Sequence, residues 1–303
     1  MSYDPDALLD RRRLRRRLRI WQAVALIVAV AAVLVFLHGE GELVRGERVA
    51  RIHVEGLIVR DDARADMLDR IARNRNIRGV IVHIDSPGGS VVGGEDLYNG
   101  LRKIAEDKPV AAVMGTVATS AAYMTGIAAD RIFAYEGTVT GSIGVILQSA
   151  NVTELLDRIG VEPVTIKSSD LKGVPSPLEP LTDEARAATR QVVLDLYDFF
   201  VGLVIERRPI DTDAVRRLAD GRVFSGRQAV ENGLVDAIGN ETEAIAWMVE
   251  ERGVPAGLRV ETVRADRNAD NFLERLGGLA GKSLFSNALT LDGLVSLWQP
   301  AAR

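Results

Sequence analysis

The sequence contains no cysteine. Disulfide staples and thiolate chemistry are therefore both excluded, and any extracytoplasmic life has to be led without covalent cross-links. Histidine is almost as scarce, with His38, His53 and His83 the only three in 303 residues. A hydrolytic base must come from one of them or from another residue type. There is no internal repeat, and nothing in the chain calls for a metal or a cofactor. Basic surface is also missing where a nucleic-acid partner would need it. The formal charge is −4, but Arg11–Arg19 holds seven arginines and no acid, and setting those aside leaves the other residues at −11. What is abundant is apolar residues, 47% of the chain, enough for a sizeable core in one or two domains.

The arginine cluster runs directly into an apolar stretch, Ile20–Leu37, interrupted only by Gln22. About 18 residues approach the ~20 that cross a bilayer as a helix. A cleaved signal peptide would have a shorter apolar region ending at a small-x-small site, whereas this run ends Val33-Leu-Val-Phe-Leu-His38. The expectation is an uncleaved transmembrane helix over 20–38 after a basic cytoplasmic segment over 1–19. The positive-inside rule then turns the rest of the chain outward, tethered by the short linker 39–47.

Beyond the linker, Arg48–Val54 alternates as a strand, with Gly56 a turn or bulge before Leu57-Ile-Val59. Residues 61–74 carry apolar side chains at helical spacing. Gly79–Ile84 is nearly all apolar, as a parallel strand covered on both faces would be. Asp85-Ser-Pro-Gly-Gly-Ser90 reads as a loop, and a helix is expected over 92–107. Val110–Met114, Arg131–Tyr135 and Ile143–Leu147 are further expected strands, and Lys167–Lys172 stands at the end of another. Thr182–Arg208 is a long amphipathic helix, too charged to span a membrane, expected to cover the sheet or another subunit. Shorter helices are expected over 211–218, 226–232 and 240–252, with Asn240 and Glu243 as a capping box and Gly233 at a helix C′ position. Leu258–Val263 is a possible strand, and 272–279 and 289–298 are possible helical pieces. Strands alternating with helices imply βαβ units and a mostly parallel sheet.

Ser120 stands where the run Val110–Met114 passes through Gly115 into a small-residue helix. A hydroxyl there has orphan N–H groups and the positive end of a helix dipole beside it, which suits a nucleophile, although an ordinary N-cap would look the same. The Pro87-Gly88-Gly89 loop leaves a strand end on the same side of a parallel sheet. Backbone N–H groups of Gly88 or Gly89 and of Ala121 would then form an oxyanion hole. For the base, His83 and Asp85 share a strand face, which leaves a Ser-His-Asp triad formally open. Lys167 and Lys172 are the alternatives, provided the lysine is desolvated.

Asp85-Ser-Pro-Gly-Gly-Ser, Ala118-Thr-Ser-Ala-Ala-Tyr, Ala128-Ala-Asp130, Thr138-Val-Thr-Gly-Ser-Ile-Gly-Val145, Gly221-Arg-Val-Phe-Ser-Gly and Gly233-Leu-Val-Asp236 together resemble the signal peptide peptidase A (SppA) family, membrane-anchored Ser-Lys peptidases. The resemblance covers roughly residues 47–252. It implies an α/β chain of the ClpP/crotonase fold, with repeated ββα units and a mostly parallel sheet. It implies Ser120 as nucleophile, Lys172 as base, Ser142 holding the lysine amine, and Gly89 and Ala121 as oxyanion donors. It also implies homo-oligomeric, inward-facing rings that cut residual signal peptides. The absence of any histidine after Ser120 agrees with a lysine base. The chain departs from the family's usual pattern at Ser168-Ser169, Gly173 and Ala121-Ala122. The expected layout is a peptidase domain over 47–255 and a tail over 256–303 without an assigned role. Two other functions are weighed against the peptidase: a crotonase-type acyl-CoA enzyme, whose glutamates are not matched here, and a catalytically silent membrane scaffold of the same fold.

Overall fold

A computed structural model describes residues 17–30, 46–265 and 295–297. The chain divides into two compact units, Met1–Gly46 and Glu47–Arg303. In the first, residues 17–30 form a helix (α1) whose side chains, Ile20, Trp21, Leu26 and Ile27 among them, are exposed. Among the described residues no helix is long and apolar enough to cross a membrane. Residues 31–38 of the expected span lie outside the described residues.

The second unit is a mixed α/β fold with a mostly parallel sheet. Its strands are β1 (Arg48–Ile58), β2 (Ile77–Ser90), β3 (Val110–Thr119), β4 (Arg131–Ala134), β5 (Val139–Gly141), β6 (Val223–Ser225), β7 (Ala237–Ile238), β8 (Arg259–Thr262) and β9 (Val295–Leu297). The main path runs β6-β5-β3-β2-β1-β8, with β4 between β3 and β7 and with β9 on β2. All pairs are parallel except β5–β6 and β2–β9. The strand β3 is forked: its first half, Ala111–Met114, pairs with β4, and its second, Val117–Thr119, pairs with β5. That fork brings the end of β3 beside Gly141, while Ala118 still pairs with Ser86 of β2.

Side-chain alternation explains the layers, because successive residues of a strand face opposite sides. Ile52, Val54, Val80, Val82, Ile84 and Ala112 meet α2 (Asp62–Arg73), α3 (Val91–Ala105) and α4 (Ala121–Gly126) in one core. Val49, Ile81, Ala111, Val113 and Phe133 face the other way and pack on Trp247 and Met248 of α9 (Glu241–Arg252). The long helix α6 (Asp183–Arg207) starts at a Thr182 cap, buries Ala185 in its first turn, and buries its larger side chains in its C-terminal half. Phe200, Val201 and Val204 are buried in the first core, whereas Val192 and Leu194 stay about half exposed. Between α4 and α6, residues 127–182 hold β4, β5 and one short helix, α5 (Thr153–Arg158). The connections α7 (Thr212–Leu218) and α8 (Gly226–Glu231) complete the unit.

Several sequence expectations hold. Gly56, at φ +67, lies where β1 slips register between Glu55 and Leu57, so it is a bulge. Asn240 and Glu243 form the capping box of α9, and Gly233 sits at φ +77 just past α8. Others need correction. The Asp85–Ser90 stretch is not a loop but the continuation of β2, because its backbone pairs onward with Leu57 and Ile58. Ile143–Leu147 and the residues before Lys167 form no strand; the strand is Val139–Gly141 instead. Val295–Leu297, expected to be helical, is extended and pairs with β2, and the piece over 272–279 lies outside the described residues.

A polar clamp fixes α9 to the sheet. Arg51 donates to Glu241 from Nε at 2.7 Å and from its Nη2, and His83 Nε2 meets the same carboxylate at 2.6 Å. The arginine hydrogen bonds outweigh the cost of burial and hold the Glu241 carboxyl below the usual carboxylate range. A depressed folded-state value means that the stabilisation is fully present above the unfolded carboxyl value of ~4.3 and is lost as pH falls through the lower folded value. The melting temperature of Glu241→Gln should therefore depend less on pH below ~4.5 than that of wild type, and parallel acid profiles would remove this assignment.

Candidate active site

Ser120 follows the last residue of β3 and takes a conformation that non-glycine residues avoid, φ 58 and ψ −122. Such strain persists only where the surroundings impose it. Here the N–H of Ser120 donates to Gly141 O at 2.9 Å, while its carbonyl accepts from Met124 N–H at 2.9 Å to open α4. Its side chain makes no capping bond, although it occupies the cap position, so the ordinary N-cap explanation for a serine here does not apply. Ser120 is 1% exposed and is surrounded by buried Ala118, Ala121 and Ala122. Small residues are required here because α4 packs tightly on α3: a Cβ added at Gly94 would lie 3.1 Å from that of Ala121.

Ser142 is the next residue after Gly141, whose carbonyl holds the Ser120 N–H, and it too has a positive φ, 51. Its N–H donates to Arg222 O at 2.8 Å, tying the end of β5 to the segment before β6. The structure thus brings Ser120 and Ser142 onto adjoining backbone.

Gly88 and Gly89 reach the same corner through β2, since Ser86 pairs with Ala118 and Thr119 Oγ1 donates to Pro87 O at 3.0 Å. The two glycines differ in what they offer. The N–H of Gly88 is already given to Ser86 Oγ at 3.0 Å, so Gly88 is removed as an oxyanion donor. Gly89 has no room for a side chain, because a Cβ there would lie 1.8 Å from Ile58 O. The donors that remain from the sequence reading are the N–H groups of Gly89 and Ala121, the latter the first residue of α4. The edge Gly88–Ser90 carries β9, with Gly88 opposite Leu297 and Gly89 opposite Ser296 in antiparallel register. This edge therefore accepts an extended backbone as an added strand.

The base candidates are placed less closely. His83 is bound to Glu241 and stacked on His53 at 5.3 Å, and Asp85 Oδ1 accepts the Val117 N–H, so this pair forms no triad with Ser120. Lys167 is ion-paired with Glu179, whose carboxyl its hydrogen bond pulls below the ordinary range. Lys172 lies in a turn closed by its N–H to Ser169 O at 3.0 Å; its side chain is exposed and has no hydrogen bond or ion pair among the described residues. The desolvation expected of a lysine base is not supplied by this chain alone. The stretch of chain that leads to it is apolar and uncovered: Leu155, Ile159, Val164, Ile166 and Leu171 are all exposed, Ile166 at 95%.

Sequence reasoning missed the hydroxyls that set this corner. Ser86, Thr119 and Thr140 are fully buried, and Thr140 Oγ1 donates to Ala118 O at 2.7 Å. Hydroxyls inside strands beside a Pro-Gly-Gly stretch were the available signal.

The sequence profile of Peptidase family S49 matches residues 102–255. A protein of Enterococcus faecium provisionally named signal peptide peptidase SppA is 38% identical over 195 residues, which is 64% of this chain and 57% of that one. A provisionally named protease of Synechocystis sp. is 34% identical over 219 residues, 72% of this chain and 79% of that one. Among solved structures, a point mutant of a membrane-bound stomatin-specific protease superposes with a TM-score of 0.46 at 15% identity, covering 74% of this chain and all of that one.

Proposed function

The chain belongs to peptidase family S49 and is a serine peptidase, and from that premise we propose a membrane-anchored endopeptidase that cleaves short apolar peptides, such as residual signal peptides, through an acyl-enzyme on Ser120. The observation that carries this reading is the strained Ser120 at the end of β3, next to an edge of β2 able to take an extended peptide. In this mechanism Ser120 Oγ attacks the scissile carbonyl carbon and passes its proton to the Nζ of Lys172, which the Ser142 hydroxyl orients. The tetrahedral oxyanion is held by the N–H groups of Gly89 and Ala121. Collapse breaks the C–N bond, the lysine returns its proton to the leaving amine, and water then releases the acyl group by the same route. Residues 20–38 anchor the chain with the peptidase unit on the extracytoplasmic side, which places the site where cleaved signal peptides leave the bilayer. The uncovered apolar stretch that leads to Lys172 is covered by a second copy of the chain, and this contact desolvates the lysine.

Labelling with a fluorophosphonate and mapping the modified residue tests the reading. Modification of Ser120 is expected; labelling at another serine, or none in an oligomeric preparation, would overturn it. A substrate strand and β9 compete for one edge in this proposal. Removing residues 295–303 should therefore lower KM severalfold with kcat little changed, and an unchanged KM would show that substrate does not bind along Gly88–Ser90.

A further inference from the structure

Resting on the peptidase reading, we propose that Ser86 and Thr119 are positioning residues that clamp the Pro87–Gly88 peptide unit and so fix the direction of the Gly89 oxyanion donor. The carbonyl of Pro87 and the N–H of Gly88 belong to one rigid plane. That plane is held at both ends. Thr119 Oγ1 donates to Pro87 O at 3.0 Å, and Gly88 N–H donates to Ser86 Oγ at 3.0 Å. The Ser86 hydroxyl in turn donates to Gly56 O at 2.6 Å, so the chain of bonds ends on the β1 bulge. Both hydroxyl-bearing residues are 0% exposed.

A clamp is needed because the ladder changes register just before the two glycines. The shifts fall between Glu55 and Leu57 on β1 and between Ile84 and Ser86 on β2, and Gly88 then takes φ 106, a conformation that glycine adopts without penalty. Rotation of the Pro87–Gly88 plane would carry the Gly88–Gly89 unit with it and redirect the Gly89 N–H. Burying two hydroxyls costs desolvation that an apolar pair would avoid, and each here makes a bond to this one peptide unit. Thr119 also directly precedes Ser120, so one residue links the nucleophile's strand to the donor's strand.

The test uses the full chain and two readouts. Thr119→Val keeps shape and loses the hydroxyl; Thr119→Ser keeps the hydroxyl; Ser86→Ala removes the other bond. Turnover of a peptide substrate by Thr119→Val and Ser86→Ala should fall about 10- to 100-fold in kcat with KM within about threefold, and Thr119→Ser should recover to within about threefold of wild type. Hydrogen exchange of the Gly88 amide should quicken in Thr119→Val and Ser86→Ala while α4 is unchanged. A folded Thr119→Val with wild-type kcat, a Thr119→Ser as slow as Thr119→Val, or unaltered Gly88 exchange would overturn the clamp. An inactive, unlabelled wild type would instead count against the peptidase reading, and the exchange measurement would still decide the clamp.

Discussion

Ser120→Ala should abolish peptide turnover and fluorophosphonate labelling while leaving the melting temperature within a few degrees of wild type. In the proposed mechanism the loss is large because the hydroxyl oxygen forms the bond to the acyl group; removal of a catalytic serine typically leaves only what binding and the oxyanion site supply, a deficit of roughly 10³-fold or more. The effect on stability is small because the backbone bonds to Gly141 and Met124 survive the change, and the side chain does not cap α4. Alanine is as strained as serine at φ 58, so the backbone cost carries over unchanged. Loss limited to ~1 kcal/mol is the ordinary range for such a site. Turnover near wild type in a purified Ser120→Ala protein would remove Ser120 as nucleophile, and a collapse of the melting temperature would show that the hydroxyl has a structural duty.

How far the sequence reaches is clear from where its expectations succeed. Strands β2 and β3 and the helices α6 and α9 are legible because their apolar spacing is strong and their caps, Thr182 and Asn240, are chemically distinctive. Ser120 is legible as a residue at a strand-to-helix junction, although its positive φ is not, since nothing in a serine's neighbours announces a left-handed conformation. The Asp85–Ser90 stretch misleads because proline and glycines normally punctuate loops. Here β1 bulges at Gly56 and keeps pairing with it, a tertiary effect invisible to local pattern. The Gly88 N–H was a candidate donor until the placement of Ser86 showed it to be occupied. Val295–Leu297 has too few residues for its period to distinguish strand from helix; its partner on β2 decides.

The second large effect is expected at Lys172. Lys172→Ala and Lys172→Arg should be equally inactive, since arginine keeps its proton in a protein and cannot accept another from Ser120. His83→Ala should retain turnover if it folds, because His83 is engaged with Glu241 and lies outside the Ser120 corner. The dependence of activity on protein concentration carries a further consequence. Lys172 is exposed in a single chain, on a strap whose Val164 and Ile166 are 84% and 95% exposed. A lysine acts as a base near neutral pH when apolar surroundings penalise its charged form, and in this proposal only a second copy supplies them. Specific activity should thus rise with concentration in step with oligomer formation measured by light scattering, and Ile166→Asp should weaken both together. A monomer as active per chain as the oligomer, or an active Lys172→Ala beside an inactive but folded His83→Ala, would replace the lysine base by another group.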